Sequence, residues 1–122
     1  MIYLASPYSY PDAAVCEQRF AAACRATTAL LQAGHVVFSP VVHSHPLVAY
    51  GLPGDWAFWE RVDREHLERC DDVVVLMLDD WRESVVVPAE IRMAAAFGKP
   101  VHYMDPAVLT MSETNPRGNG AR

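Results

Sequence analysis

Apolar residues in this chain fall into short continuous runs, separated by stretches in which they recur every three or four positions. The runs lie at residues 2–5, 35–39, 73–78 and 100–104. A short, wholly apolar run bounded by turn residues is the pattern of a strand buried on both faces of a parallel sheet. Between the first two runs, Phe20, Cys24, Thr27 and Leu31 mark one face of a helix opened by Pro11-Asp12 and running to about Ala33. Gly34 then supplies a left-handed stop. Asp55 is a suitable N-cap for a helix over 56–70, on which Trp56, Trp59, Asp63, Leu67 and Cys70 share one face. Pro88 fits the first turn of a third helix that continues through Ala94-Ala95-Ala96 to a second stop at Gly98. Residues 41–54 contain Pro46, Gly51, Pro53 and Gly54, and predict a loop.

Strands alternating with helices over short connections imply an α/β domain with a doubly wound, flavodoxin-like parallel sheet. The expected order is 2-1-3-4, with three main helices. The domain is expected to span residues 1–105, followed by a flexible tail over 106–122 rich in Ser, Thr, Asn, Gly, Pro and Arg. Ligands of such sheets bind beyond the carboxyl ends of the strands, at the switch in strand order. That rule singles out residues 6–8, 39–45 and 79–90.

Composition narrows the function classes. The chain has 122 residues, 52% hydrophobic and 20% charged, which suits one soluble domain. A net charge of −5 argues against a nucleic-acid or anionic membrane surface. No apolar run reaches membrane-spanning length, and the first residues lack the basic stretch of a signal peptide. Cys16, Cys24 and Cys70 are odd in number and form no C-x-x-C, so a cytoplasmic, reduced protein without structural metal is expected.

Three acidic or hydroxylic positions fall where chemistry is expected. Glu90 lies in the first turn of the third helix, favoured there by the helix dipole and also well placed for catalysis. Asp63 sits on an apolar helix face, where a carboxylate either finds a cation such as Arg61 or Arg64 or shifts its pKa. Ser84 precedes Glu90 by six residues, as a turn residue or an anion contact. Tyr3 and Ser6 lie on and just beyond the first strand. In an extended segment His43 and His45 would face the same way, but no third metal ligand has matching spacing.

These pieces together resemble the nucleoside 2-deoxyribosyltransferases and the related 2′-deoxynucleoside 5′-phosphate N-hydrolases. The resemblance is carried by Ile2-Tyr3-Leu4-Ala5-Ser6-Pro7-Tyr8, by Asp63 through Cys70-Asp71-Asp72-Val73-Val74-Val75, and by Ser84 to Glu90-Ile91. Ala94-Ala95-Ala96-Phe97-Gly98-Lys99-Pro100-Val101 completes it. Up to about Asp105 the chain is most similar to a bacterial subgroup, the domain of unknown function numbered 1937. Val86 and Arg92 stand where the wider family has glycine.

The resemblance implies cleavage of a base–sugar bond without a cofactor. It makes Glu90 the nucleophile at C1′, Asp63 the group that engages the base, and Tyr3 the residue that orients Glu90. It assigns Ser6, Pro7, Tyr8, Ser84, Val86, His43 and His45 to the substrate site. Where relatives acting on free nucleosides have Asp, this chain has neutral Ser84, which favours a nucleoside 5′-monophosphate over a nucleoside. Aromatic surface at Trp56 and Trp59 predicts a homodimer or homotetramer. Two other readings stand beside this one: a non-catalytic nucleotide-binding module, and an NAD-type glycohydrolase.

Overall fold

Strand β1 (Ile2–Ala5) runs parallel to a partner on each side. Ile2 and Tyr3 pair with Val37 and Phe38 of β2 (Val37–Phe38), and Ile2 to Ala5 pair with Asp72 to Val75 of β3 (Asp72–Leu76). On its far side β3 pairs in parallel with β4 (Val101–Met104). The four parallel strands therefore take the expected order 2-1-3-4 in this computed structural model, which describes residues 1–112. A short fifth strand, β5 (Met111–Ser112), adds antiparallel to β4 at the edge. Part of the stretch expected as tail is thus paired into the sheet; residues 113–122 lie outside the described residues.

Alternation along the strands separates two apolar layers. Tyr3, Ala5, Val73 and Val75 face one side, packing with Leu67 of α3 (Trp56–Arg69) and Val87, Met93 and Ala94 of α4 (Val86–Ala96). Ile2, Leu4, Val74 and Leu76 face the other, against Ala22, Ala26 and Leu30 of α1 (Ala13–Gln32). This parity decides the site: Tyr3 is delivered to the face that carries α3 and α4, and Leu4 to the opposite one. Asp12 caps α1 by accepting from the Ala14 amide at 2.9 Å. Gly34 and Gly98 take φ of +97° and +69°, the left-handed stops read from the sequence.

One expectation fails. Residues 40–48, read as loop, form a helix, α2 (Pro40–Val48), so the described residues hold four helices rather than three. Ser39 Oγ accepts from the Val42 amide at 3.1 Å, and Pro40 occupies the first turn, where a missing N–H costs nothing. Pro46 sits inside the helix and removes one backbone bond. That proline, close to Gly51, Pro53 and Gly54, masked the Ser-Pro start. No helix among the described residues is long and apolar enough to cross a membrane.

Candidate active site

A cleft open to solvent lies beyond the carboxyl end of β1. Four stretches of chain build it. The loop after β1 gives Ser6 and Tyr8; α2 gives Val41 and Ser44; α3, with its N-cap, gives Asp55, Trp56, Trp59 and Asp63. Gly54 belongs to the wall beneath Tyr8, and α4 closes it with Val86 and Glu90.

Glu90 is 1% exposed. Tyr3, itself fully buried, donates its phenolic proton to Glu90 Oε2. The other oxygen, Oε1, has no hydrogen-bond partner, and neither does the buried Oγ of Ser6 on the same cleft. Buried polar atoms are nearly always paired, because each unpaired one costs about 1–3 kcal/mol. Two such atoms on one cleft wall point to a ligand that satisfies them. Burial drives the Glu90 carboxyl well above its usual pKa; the Tyr3 hydrogen bond opposes that rise and the Asp63 charge adds to it.

Asp63 is 4% exposed, and burial alone pushes its pKa up to about 7. The arginine partner considered from the sequence is absent: Arg64 binds Glu60 instead, at 3.0 Å. A carboxyl group with this pKa is half protonated near neutrality, the state that both gives and takes a proton. Tyr3 rises well above the usual phenol value through burial, then through the Glu90 and Asp63 charges, and stays a donor.

The remaining sequence candidates divide. Tyr8 and Val86 line the cleft with Ser6. Pro7 is buried and does not line it. Ser84 is a cap: its hydroxyl donates to the Trp81 carbonyl and accepts from the Val87 amide, both at 3.1 Å. Its proton is thereby committed. Because residues 43–45 are helical rather than extended, His43 and His45 do not face the same way. His43 packs edge-on to Trp59, while His45 stacks on Phe20 of α1. Ser44, at helical spacing from Pro40 and Val41, takes the cleft face.

Ser44, Gly54 and Asp55 were missed by the sequence reading, as was Arg19. Arg19 is buried and donates to the carbonyls of Ser9 (3.1 Å) and Asp79 (3.4 Å), tying the loop after β1 to the loop after β3. Trp59 is buried, with its indole N–H on the Pro53 carbonyl at 2.7 Å, and Trp56 is half-buried. They are cleft walls rather than the exposed surface inferred from sequence; Tyr50 (89% exposed) and Phe58 (43%) hold that position. Among the described residues, no group of three or more His, Cys, Asp or Glu is arranged to hold a metal.

A family model described as a domain of unknown function, DUF1937, matches residues 1–106. Among solved structures the chain is similar to the 2-deoxyribosyltransferase from the psychrotolerant bacterium Bacillus psychrosaccharolyticus, with 29% identity and a TM-score of 0.61. That match covers 86% of this chain and 72% of the other. No curated protein matches.

Proposed function

This chain belongs to the DUF1937 family, and from that premise we propose that it cleaves the base–sugar bond of a nucleoside through Glu90. The observation that carries the reading is the Glu90 carboxyl group: buried, held at one oxygen by Tyr3, with the other oxygen unpaired on the cleft wall. The likeness to a 2-deoxyribosyltransferase supports the same chemistry.

Departure of a base leaves positive charge at C1′. An ionised Glu90 Oε1 beneath C1′ stabilises that charge and forms a glycosyl ester as the C1′–N bond breaks. The leaving base takes a proton from Asp63. Water or a second base, losing a proton to the Asp63 carboxylate, then attacks C1′; the ester bond breaks, Glu90 is returned as carboxylate and Asp63 as acid. The Asp63 charge raises the Glu90 pKa, so the productive form is Glu90 ionised with Asp63 protonated and carrying no opposing charge. The growing charge at C1′ favours the ionised form of Glu90 at the moment it is needed.

The sequence favoured a 5′-monophosphate because Ser84 is neutral. Against that stand the committed Ser84 proton and the make-up of the cleft, which has Asp55, Asp63 and Glu90 but no Lys or Arg. An uncharged nucleoside fits these walls better than a phosphate. The test is release of free base from a panel of nucleosides and the corresponding 5′-monophosphates, followed by chromatography. Release from neither class sinks the proposal, and faster release from monophosphates reverses the substrate assignment. A homodimer or homotetramer remains the expected assembly, and light scattering at micromolar concentration decides it.

Tyr3 is a positioning residue in this scheme. Its hydrogen bond lowers the Glu90 pKa, so Tyr3→Phe should let that pKa rise. Because activity needs ionised Glu90, the acid limb of the kcat profile should then move to higher pH. kcat at neutrality should fall by about tenfold or more, with little change in KM. An unmoved acid limb would mean that Tyr3 serves only the core.

A further inference from the structure

Tyr8 stands on the cleft wall, and its hydroxyl is tied to a chain of groups that decides which way it can bond. His45 Nδ1 lies 2.6 Å from the Tyr8 oxygen. The other ring nitrogen, Nε2, lies 2.8 Å from Glu17 Oε2. A carboxylate only accepts, so Nε2 carries the proton and Nδ1 of the neutral ring presents a lone pair. The phenol therefore donates to Nδ1, and the lone pairs of its oxygen are left for a ligand at the cleft wall that Tyr8 lines.

Packing fixes this arrangement from both sides. The His45 ring stacks on Phe20 at 4.2 Å between centroids and meets the Tyr8 ring edge-on at 5.5 Å. The titratable groups around the chain are Glu17 and Cys16, both from α1. Burial first, then these two, raise the Tyr8 pKa and keep the phenol protonated.

We infer that Glu17, His45 and Tyr8 form a relay that fixes Tyr8 as a hydrogen-bond acceptor in the cleft, and so selects ligands presenting a donor there. The donor is an exocyclic amino group of the base or the 5′-hydroxyl of the sugar; this step rests on the nucleoside reading above. Several other cleft groups have the same polarity, with the Ser6 hydroxyl and a protonated Asp63 as donors. The Trp59 N–H is spent on the Pro53 carbonyl, the Ser9 hydroxyl proton on the Gly54 carbonyl, and Glu90 Oε1 and Asp55 supply acceptors.

The tautomer is read without any ligand, by ¹⁵N NMR of the imidazole nitrogens in the wild-type protein at neutral pH. His45 should carry its proton on Nε2, and Glu17→Gln should increase the Nδ1–H population. A wild-type proton on Nδ1 overturns the relay. Ligand selection is then read by calorimetry in the Glu90→Gln background, which holds the nucleoside uncleaved. The ligands are a 2′-deoxyadenosine, its analogue without the amino group, and its analogue without the 5′-hydroxyl. Adding Tyr8→Phe should weaken the parent by about tenfold and leave unchanged the one analogue that lacks the donor Tyr8 engages. Which analogue is insensitive tells amino group from hydroxyl. Equal weakening of all three overturns the selection. Absence of binding by any of them counts against the nucleoside reading, and the NMR result still decides the relay.

Discussion

Glu90→Gln should reduce turnover on the order of 10³- to 10⁶-fold while leaving the fold and ligand affinity close to wild type. The carboxamide has the same shape, and its oxygen accepts the Tyr3 proton as Glu90 Oε2 does. What it lacks is the negative charge and lone-pair strength needed at C1′. The measurement is single-turnover release of base, with circular dichroism and ligand binding run alongside. A variant that folds, binds and still turns over within tenfold of wild type would move the chemistry to another residue. A binding module without catalysis predicts no such contrast between affinity and turnover.

Asp63→Asn should raise the melting temperature at pH 8 and leave it nearly unchanged at pH 4. The sign follows from linkage. Asp63 holds its proton up to about pH 7 when folded but releases it near 3.8 when unfolded. Over that window the folded state binds more protons, so stability falls as pH rises from about 4 to 7. At about 1.4 kcal/mol per pH unit the full effect is about 4 kcal/mol, a ceiling because cleft water screens the charge. Asparagine stays neutral throughout and escapes this loss. In a domain of this size each kcal/mol moves Tm by roughly 4 °C, so a difference of several degrees is expected at pH 8. A lower Tm for Asp63→Asn at pH 8 would show that the carboxylate has a stabilising partner. The same variant should lose activity, since the amide cannot pass a proton to the base. Stability and turnover would then move in opposite directions.

The sheet was legible because each strand is a run of apolar residues between breakers, and two glycines marked the ends of α1 and α4. Glu90, Asp63 and Tyr3 were legible for a different reason. The helix period sets Asp63 on the apolar stripe of α3 and Glu90 in the first turn after β3, whereas the pairing of Tyr3 with Glu90 was expected only from the resemblance to the deoxyribosyltransferases. What the sequence hid was α2. Pro46, Gly51, Pro53 and Gly54 suggested a loop over 41–54, whereas Ser39 and Pro40 begin a helix. The error in period had consequences at the site, because a helix turns Ser44 into the cleft and sends the two histidines to different neighbours. Ser84 was visible as a position but not as a cap, since its partners Trp81 and Val87 depend on how the loop folds. Arg19 gave no sequence signal, because its partners are backbone carbonyls of two distant loops.

The unpaired oxygens of Ser6 and Glu90 have a meaning on an evolutionary scale as well. Each is a standing cost to the fold, and most substitutions that fill or neutralise such a pocket would be tolerated or welcomed by stability alone. Drift would erase them quickly in any lineage where the cleft no longer served a purpose. Homologues without the proposed activity should therefore be recognisable by apolar or amide residues at the positions of Asp63 and Glu90, with tyrosine at the position of Tyr3 lost soon after. Lineages that keep all three are paying continuously, in folding free energy, for a site still in use.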